Sequence, residues 1–256
     1  MNAAANRLSP GQFLAGVRSV AAREVGAAFD GAVAYVYVIA FVVLSNSIFM
    51  NDFFLSGRAE MRGFFEMMPL LLAFFLPAVT MRLLAEERRQ RTLEMLLTLP
   101  IVPLQAVLGK YLAALTLLLA FMAGSLPVVI MLKVLGNPDM GLVVSGYLGL
   151  FLLGAMFLAF GLFLSSLVQD QIVAFVTSTL LGFAFVLTGN DRVVAVLDGL
   201  WPSAGLGTSL YEGFSIAPHY GAFVGGLVSL SAVLYFTLFA ALFLWLTALV
   251  LQRHRT

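Results

Sequence analysis

Between Asp139 and Asp170 the chain carries no charged side chain. A run of that length offers water no charged face, and about 20 apolar residues are enough to cross a bilayer. Similar stretches recur along the chain. Together they predict spans at 31–51, 67–85, 111–132, 140–169, 171–188 and 224–251. The expected fold is an all-α membrane protein with six transmembrane helices and short polar connections.

Composition excludes the main alternatives. The 256 residues are 61% hydrophobic and 11% charged, with mean hydropathy +1.01, whereas soluble domains carry about 25% charged residues. The alternating ten-residue strands of a membrane barrel are absent. A net charge of +1 gives no footprint for nucleic acid. No cysteine is present, which removes disulfides and thiolate metal sites, and two histidines argue against a multi-histidine centre. Residues 1–31 lack the pattern of a cleavable signal peptide, so insertion through the first span is expected.

Basic residues orient the spans. In a six-span arrangement, ten of the fourteen lysines and arginines fall on the side holding both termini, and Arg58, Arg62, Lys133 and Arg192 fall on the other. The positive-inside tendency then places both termini in the cytoplasm. The expected organisation is a cytoplasmic segment at 1–31, a membrane domain at 32–251 and a cytoplasmic tail at 252–256.

The N-terminal segment reads as a helix starting at Ser9-Pro10, a cap followed by a first-turn proline. Gln12, Ser19, Arg23 and Asp30 form a polar stripe, with Phe13, Val17, Val20, Ala21 and Ala28 mostly opposite. This pattern fits an amphipathic helix in the membrane interface; a short cytosolic helix is the alternative. Before the last span, residues 189–223 mix charges with apolar runs. Trp201, Tyr211 and Tyr220 suit an interface, so short re-entrant or interfacial helices are expected there. Pro69, Pro77 and Pro127 interrupt spans, as gating hinges or as ordinary helix shaping. Ala174, Ser178 and Gly182 give the fifth span a small-residue face, for a dimer seam or for packing within the subunit.

No phosphate-binding loop is present: Gly109-Lys110-Tyr111 lacks both the upstream glycine and the magnesium-binding hydroxyl. The spans are nearly free of ionisable groups, which disfavours an ion-coupled carrier. Asn46 is the most polar point inside a span, and such a residue usually bonds a neighbouring helix. One segment stands apart. Glu86, Glu87, Arg88, Arg89, Arg91 and Glu94 crowd the connection after the second span. Beyond Thr92, Leu93, Leu96, Leu97 and Pro100 fall at i, i+3, i+4 and i+7, one face of a short helix. Glu87 and Arg91 stand i, i+4. A surface helix with one apolar edge suits docking into a partner's groove, while a solvated loop whose arginines only fix topology fits the residues equally well.

This segment resembles the signature of ABC-2-type transporter permeases: two acidic residues, basic residues, then Gly-Thr-Leu-Glu-x-Leu-Leu-x-x-Pro-Ile. The match holds at Glu86, Glu87, Thr92, Leu93, Glu94, Leu96, Leu97, Pro100 and Ile101, and Arg91 replaces the usual glycine. The span count, the N-terminal helix and the outer helical segment are similar to those of the same family, of the type V exporter kind. Thr80-Met81-Arg82 and the run from Glu94 to Ile101 look most like the gliding-motility-associated (GldF-like) permeases.

The resemblance implies a permease subunit of an ATP-driven exporter in the bacterial inner membrane. Glu86, Glu87, Arg88, Arg91, Thr92, Leu93, Glu94, Leu96, Leu97 and Pro100 would couple to a cytosolic ABC ATPase, with Gln169 and Asp170 as a second, smaller contact. ATP and magnesium would sit on that partner, leaving no cofactor and no catalytic residue in this chain. A homodimer or a pair with a second permease would form the pathway, with the first and fifth spans near the seam, and a periplasmic or auxiliary membrane subunit is a further expected partner. A membrane anchor or scaffold for an envelope or motility machine, with no transport of its own, is the competing function.

Overall fold

The computed structural model describes residues 9–57, 60–89, 102–136, 138–200 and 205–253. Among these, ten helices and no strand occur: α1 (Pro10–Asp30), α2 (Ala32–Ser56), α3 (Arg62–Arg89), α4 (Pro103–Leu135), α5 (Met140–Leu167), α6 (Gln171–Leu187), α7 (Asp191–Leu200), α8 (Leu206–Phe214), α9 (Ala217–Val224) and α10 (Leu230–Arg253). Helices α2, α3, α4, α5 and α10 are each long and apolar enough to cross a membrane. Helix α6 has 17 residues and is followed, after a bend of 92°, by α7, so the described residues hold five candidate spans, or six if α6 is counted with its bent continuation.

Side-chain contacts fix which helix ends meet. Lys110 near the start of α4 bonds Glu24 on α1 and Glu87 near the end of α3. Arg88 donates to the Ser166 carbonyl at the end of α5. Leu251 of α10 packs in one cluster with Leu84, Val107 and Leu162. Helix α1, the ends of α3, α5 and α10, and the start of α4 therefore share one end of the bundle. At the other end, Tyr220 of α9 donates to the Phe65 carbonyl of α3 at 2.9 Å, and Ser145 of α5 donates to the Phe223 carbonyl at 2.8 Å. Gly189, just beyond α6, abuts Ser215 and Ala217 beside α9. Helix α6 thus reaches from one end to the other, and its roughly 25 Å of length is near the minimum for a span.

Helix α5 is the axis. Of its apolar stretch 83% is buried, against 22% for α2 and 28% for α10. Glycine makes this possible, because without a Cβ neighbouring helices come close. A Cβ added at Gly154 would lie 2.6 Å from Leu118 of α4, one at Gly149 would lie 2.5 Å from Phe223 of α9, and others would collide with Phe65 (from Gly146) and Thr80 (from Gly161). Outward residues such as Ile39, Leu180 and Leu238 are exposed and suit hydrocarbon.

Local expectations meet the structure as follows. Ser9 caps α1, and Gln12 returns a bond to the Ser9 amide. Pro69, Pro77 and Pro127 lie inside continuous helices. Asn46 donates to the Gly124 carbonyl of α4 at 3.2 Å, a helix-to-helix bond. The segment before the last span forms α7, α8 and α9. Tyr220 is a correction: it is 4% exposed, with its hydroxyl bonded inside the fold, and not an interfacial anchor. Trp201 lies outside the described residues. The third span also starts earlier than expected, at Pro103, so Lys110 sits within a helix and not at its boundary.

Candidate functional site: a charged cluster at one end of the bundle

Helix α1 is bolted to the start of α4. Val17 and Val20 are buried, and a Cβ on Gly109 would stand 2.6 Å from Val20. Gln105 accepts from the Val102 amide at 2.8 Å and donates to the Phe13 carbonyl at 3.1 Å. Its side chain fills the space beside Gly16, where a Cβ would come within 2.5 Å of it. Close backbone approach and a buried amide together fix the crossing of the two helices.

That crossing positions Lys110. Its side chain is 2% exposed, and its ammonium lies 2.7 Å from Glu87 and 3.1 Å from Glu24. An ammonium withdrawn from water is tolerated when carboxylates replace its hydration. Arg23 adds a contact to Glu24 at 3.1 Å, so two cations face two carboxylates. Three helices, α1, α3 and α4, meet in one polar knot at the base of an apolar bundle.

A second fastening lies one turn away. The Ser165 hydroxyl accepts from the Ala85 amide at 3.0 Å and donates to the Met81 carbonyl at 3.2 Å. With the bond from Arg88 to Ser166, this ties the end of α3 to the end of α5 just before the 168–170 corner.

The sequence-predicted residues distribute as follows. Glu86 pairs with Arg89 at 3.7 Å; Glu87 and Arg88 make the contacts above. Arg91, Thr92, Leu93, Glu94, Leu96, Leu97 and Pro100 lie outside the described residues. Gln169 and Asp170 are exposed, and Asp170 caps α6 by accepting from the Ile172 amide at 2.7 Å. Ala174, Ser178 and Gly182 are buried, and Gly182 faces Ala73 of α3, where a Cβ would stand 3.5 Å away. Within the chain this small-residue face lies against α3.

Lys110, Glu24, Gln105 and the Ser165-Ser166 pair were missed. A signal for two of them exists. Glu24 stands seven residues after Val17 and four after Val20, on the apolar face of α1 and not on its polar stripe. Lys110 follows Val107 by three and precedes Ala114, Leu117 and Phe121 on the buried face of α4. An acid and a base on the inner faces of two helices are natural partners.

The fold defines a polytopic helical membrane protein with a charged fastening at one end. The family model described as ABC-2 family transporter protein matches residues 32–252. The chain belongs to the ABC-2 transporter family and is a permease subunit of an ABC transporter, a membrane component that pairs with a cytosolic ABC ATPase. No curated protein matches the chain.

Proposed function

We propose that this permease works in an ATP-driven exporter, as the membrane partner of an ATPase that docks on residues 86–101 and on the 168–170 corner. The carrying observation is the knot at Lys110. It joins Glu87, at the head of the charged segment, to Glu24 on α1, while Arg88 joins the same helix end to α5. A force on the segment after Arg89 would reach α3 directly, α1 and α4 through the ion pairs, and α5 through Ser165 and Ser166. Coupling of this kind needs elements that move as bodies.

The end that carries the knot faces the cytoplasm of a bacterial inner membrane on this reading, with both termini there, as the basic residues favour. Two such subunits, identical or paired with a second permease, form the pathway, and GldF-like permeases are the subfamily most similar in motif. Arg91 in place of glycine adds a charge to the docking surface.

The test is co-purification with the ATPase encoded beside this chain. Leu96→Asp should abolish the complex by placing a charge on the apolar docking edge, and Glu87→Arg should leave it assembled poorly or without stimulated turnover. Unchanged assembly and turnover in both variants would refute the assignment of this segment.

A further inference from the structure

Pro69 sits about two turns into α3. It has no N–H, so the carbonyl four residues back, that of Phe65, loses its helical partner. Phe65 is fully buried, and a buried carbonyl without a donor is costly. The donor comes from another helix: the Tyr220 hydroxyl of α9 stands at 2.9 Å. Around the second proline, Pro77, the hydroxyl contacts stay within α3, where Thr80 donates to the Leu76 carbonyl at 3.2 Å. Helix α9 is seated unevenly. Its end rests on α5, where Ser145 donates to the Phe223 carbonyl and the Phe223 side chain abuts Gly149. Its middle is tied to α3 through Tyr220. Between α9 and the start of α3 lies a cavity of about 280 Å³, lined among others by Arg62, Glu66, Tyr220 and Val224. Arg62 and Glu66 are exposed, so water reaches its mouth.

We propose that Tyr220 is a gating residue: by supplying the donor that Pro69 lacks, its hydroxyl latches α9 onto α3 and closes the end of the bundle opposite the knot. In the closed state the bond spares a buried carbonyl. When α9 lifts over the cavity, water serves both groups, so the bond biases the equilibrium without locking it. Loss of the hydroxyl alone leaves the closed state with an orphan carbonyl, and that penalty drives opening. Helix α3 carries Glu87 of the knot about 33 Å along the same helix, so a movement at the knot reaches the latch. The latch does not depend on the ATPase reading and is tested without the ATPase.

The chain has no cysteine, so Val224→Cys, at a position 6% exposed on the cavity wall, gives a single buried thiol beside the latch. Leu251→Cys, in a second protein, gives a control thiol at a position 1% exposed at the knot end. The full-length chain in phosphatidylcholine nanodiscs, which leave both faces open, is labelled with a water-soluble methanethiosulfonate. Tyr220→Phe should speed labelling of the first thiol about tenfold, the scale of one lost hydrogen bond, and leave the control unchanged. Pro69→Ala restores the amide that the Phe65 carbonyl needs, so Tyr220→Phe combined with Pro69→Ala should label at nearly the parent rate. No acceleration by Tyr220→Phe overturns the proposal. Equal acceleration with proline or alanine at position 69 does so too, because the hydroxyl then acts other than through the freed carbonyl. Acceleration of both thiols alike would make the bond an ordinary structural contact and overturn the latch as well.

Discussion

A lysine ammonium inside an apolar bundle has to find its solvation in the protein, and Lys110 finds it in Glu24 and Glu87. Removing the cation leaves two largely buried carboxylates facing each other. Lys110→Met should therefore cost about 3–5 kcal/mol, as breaking buried pairs does, while Lys110→Arg should recover part of it; thermal unfolding in detergent reads both. Beyond α6, Asp198 accepts from the Thr208 hydroxyl at 2.7 Å and from the Gly207 amide at 2.6 Å, stapling α7 to α8. The Thr208 hydroxyl, foremost, holds this carboxyl below its ordinary value. A depressed carboxyl stabilises above the ordinary range of about 4 and loses that contribution as pH falls through the folded value. Exchange protection of the Gly207 and Thr208 amides, corrected for intrinsic rates, should fall under acid, and Asp198→Asn should weaken it already at neutral pH. Equal protection at both pH values would contradict the staple. Residues of this kind were only partly legible in the sequence. Glu24 and Lys110 show their inward placement by spacing, but which acid meets which base depends on how α1 folds back on α4, and no local pattern carries that.

Helix α1 and helix α4 meet where Gly109 admits Val20. Because the chain has no cysteine, a pair introduced at Val20 and Gly109 is the only thiol pair present. Its Cβ atoms would start 2.6 Å apart, so the two helices must part by about 1 Å to reach disulfide spacing. Oxidation should cross-link the double variant nearly completely, and failure to cross-link would place α1 elsewhere. In α5, Gly161→Leu should collide with Thr80 and destabilise the bundle by about 1–3 kcal/mol or more, seen as a lowered unfolding temperature. Helices were the most legible part of the sequence, since apolar length alone marks a span. Their ends were less so. A charge such as Lys110 reads as a span boundary, whereas a paired charge continues the helix from Pro103. Likewise the small-residue face of α6 announces close packing without naming the partner, which is α3.

For the whole molecule, α1 and the end of α10 share one end of the bundle. Single cysteines at Gln12 and at Arg253 should both react with a membrane-permeant maleimide and both be shielded from an impermeant one in intact cells. Labelling of one and not the other would contradict an even number of crossings. The apolar spans, the charged segment and the family resemblance could be read from sequence because each is a pattern in one dimension. The knot that joins the charged segment to α1 needed the three-dimensional arrangement. On the function proposed above, an ATPase drives this permease through that end. The most direct test is ATP turnover by the reconstituted complex in liposomes, compared with the ATPase alone and with a complex carrying Glu87→Arg. Turnover should rise several-fold with the native permease and return to the level of the isolated ATPase with the variant. Turnover identical in all three would mean that the chain anchors the ATPase without being driven by it.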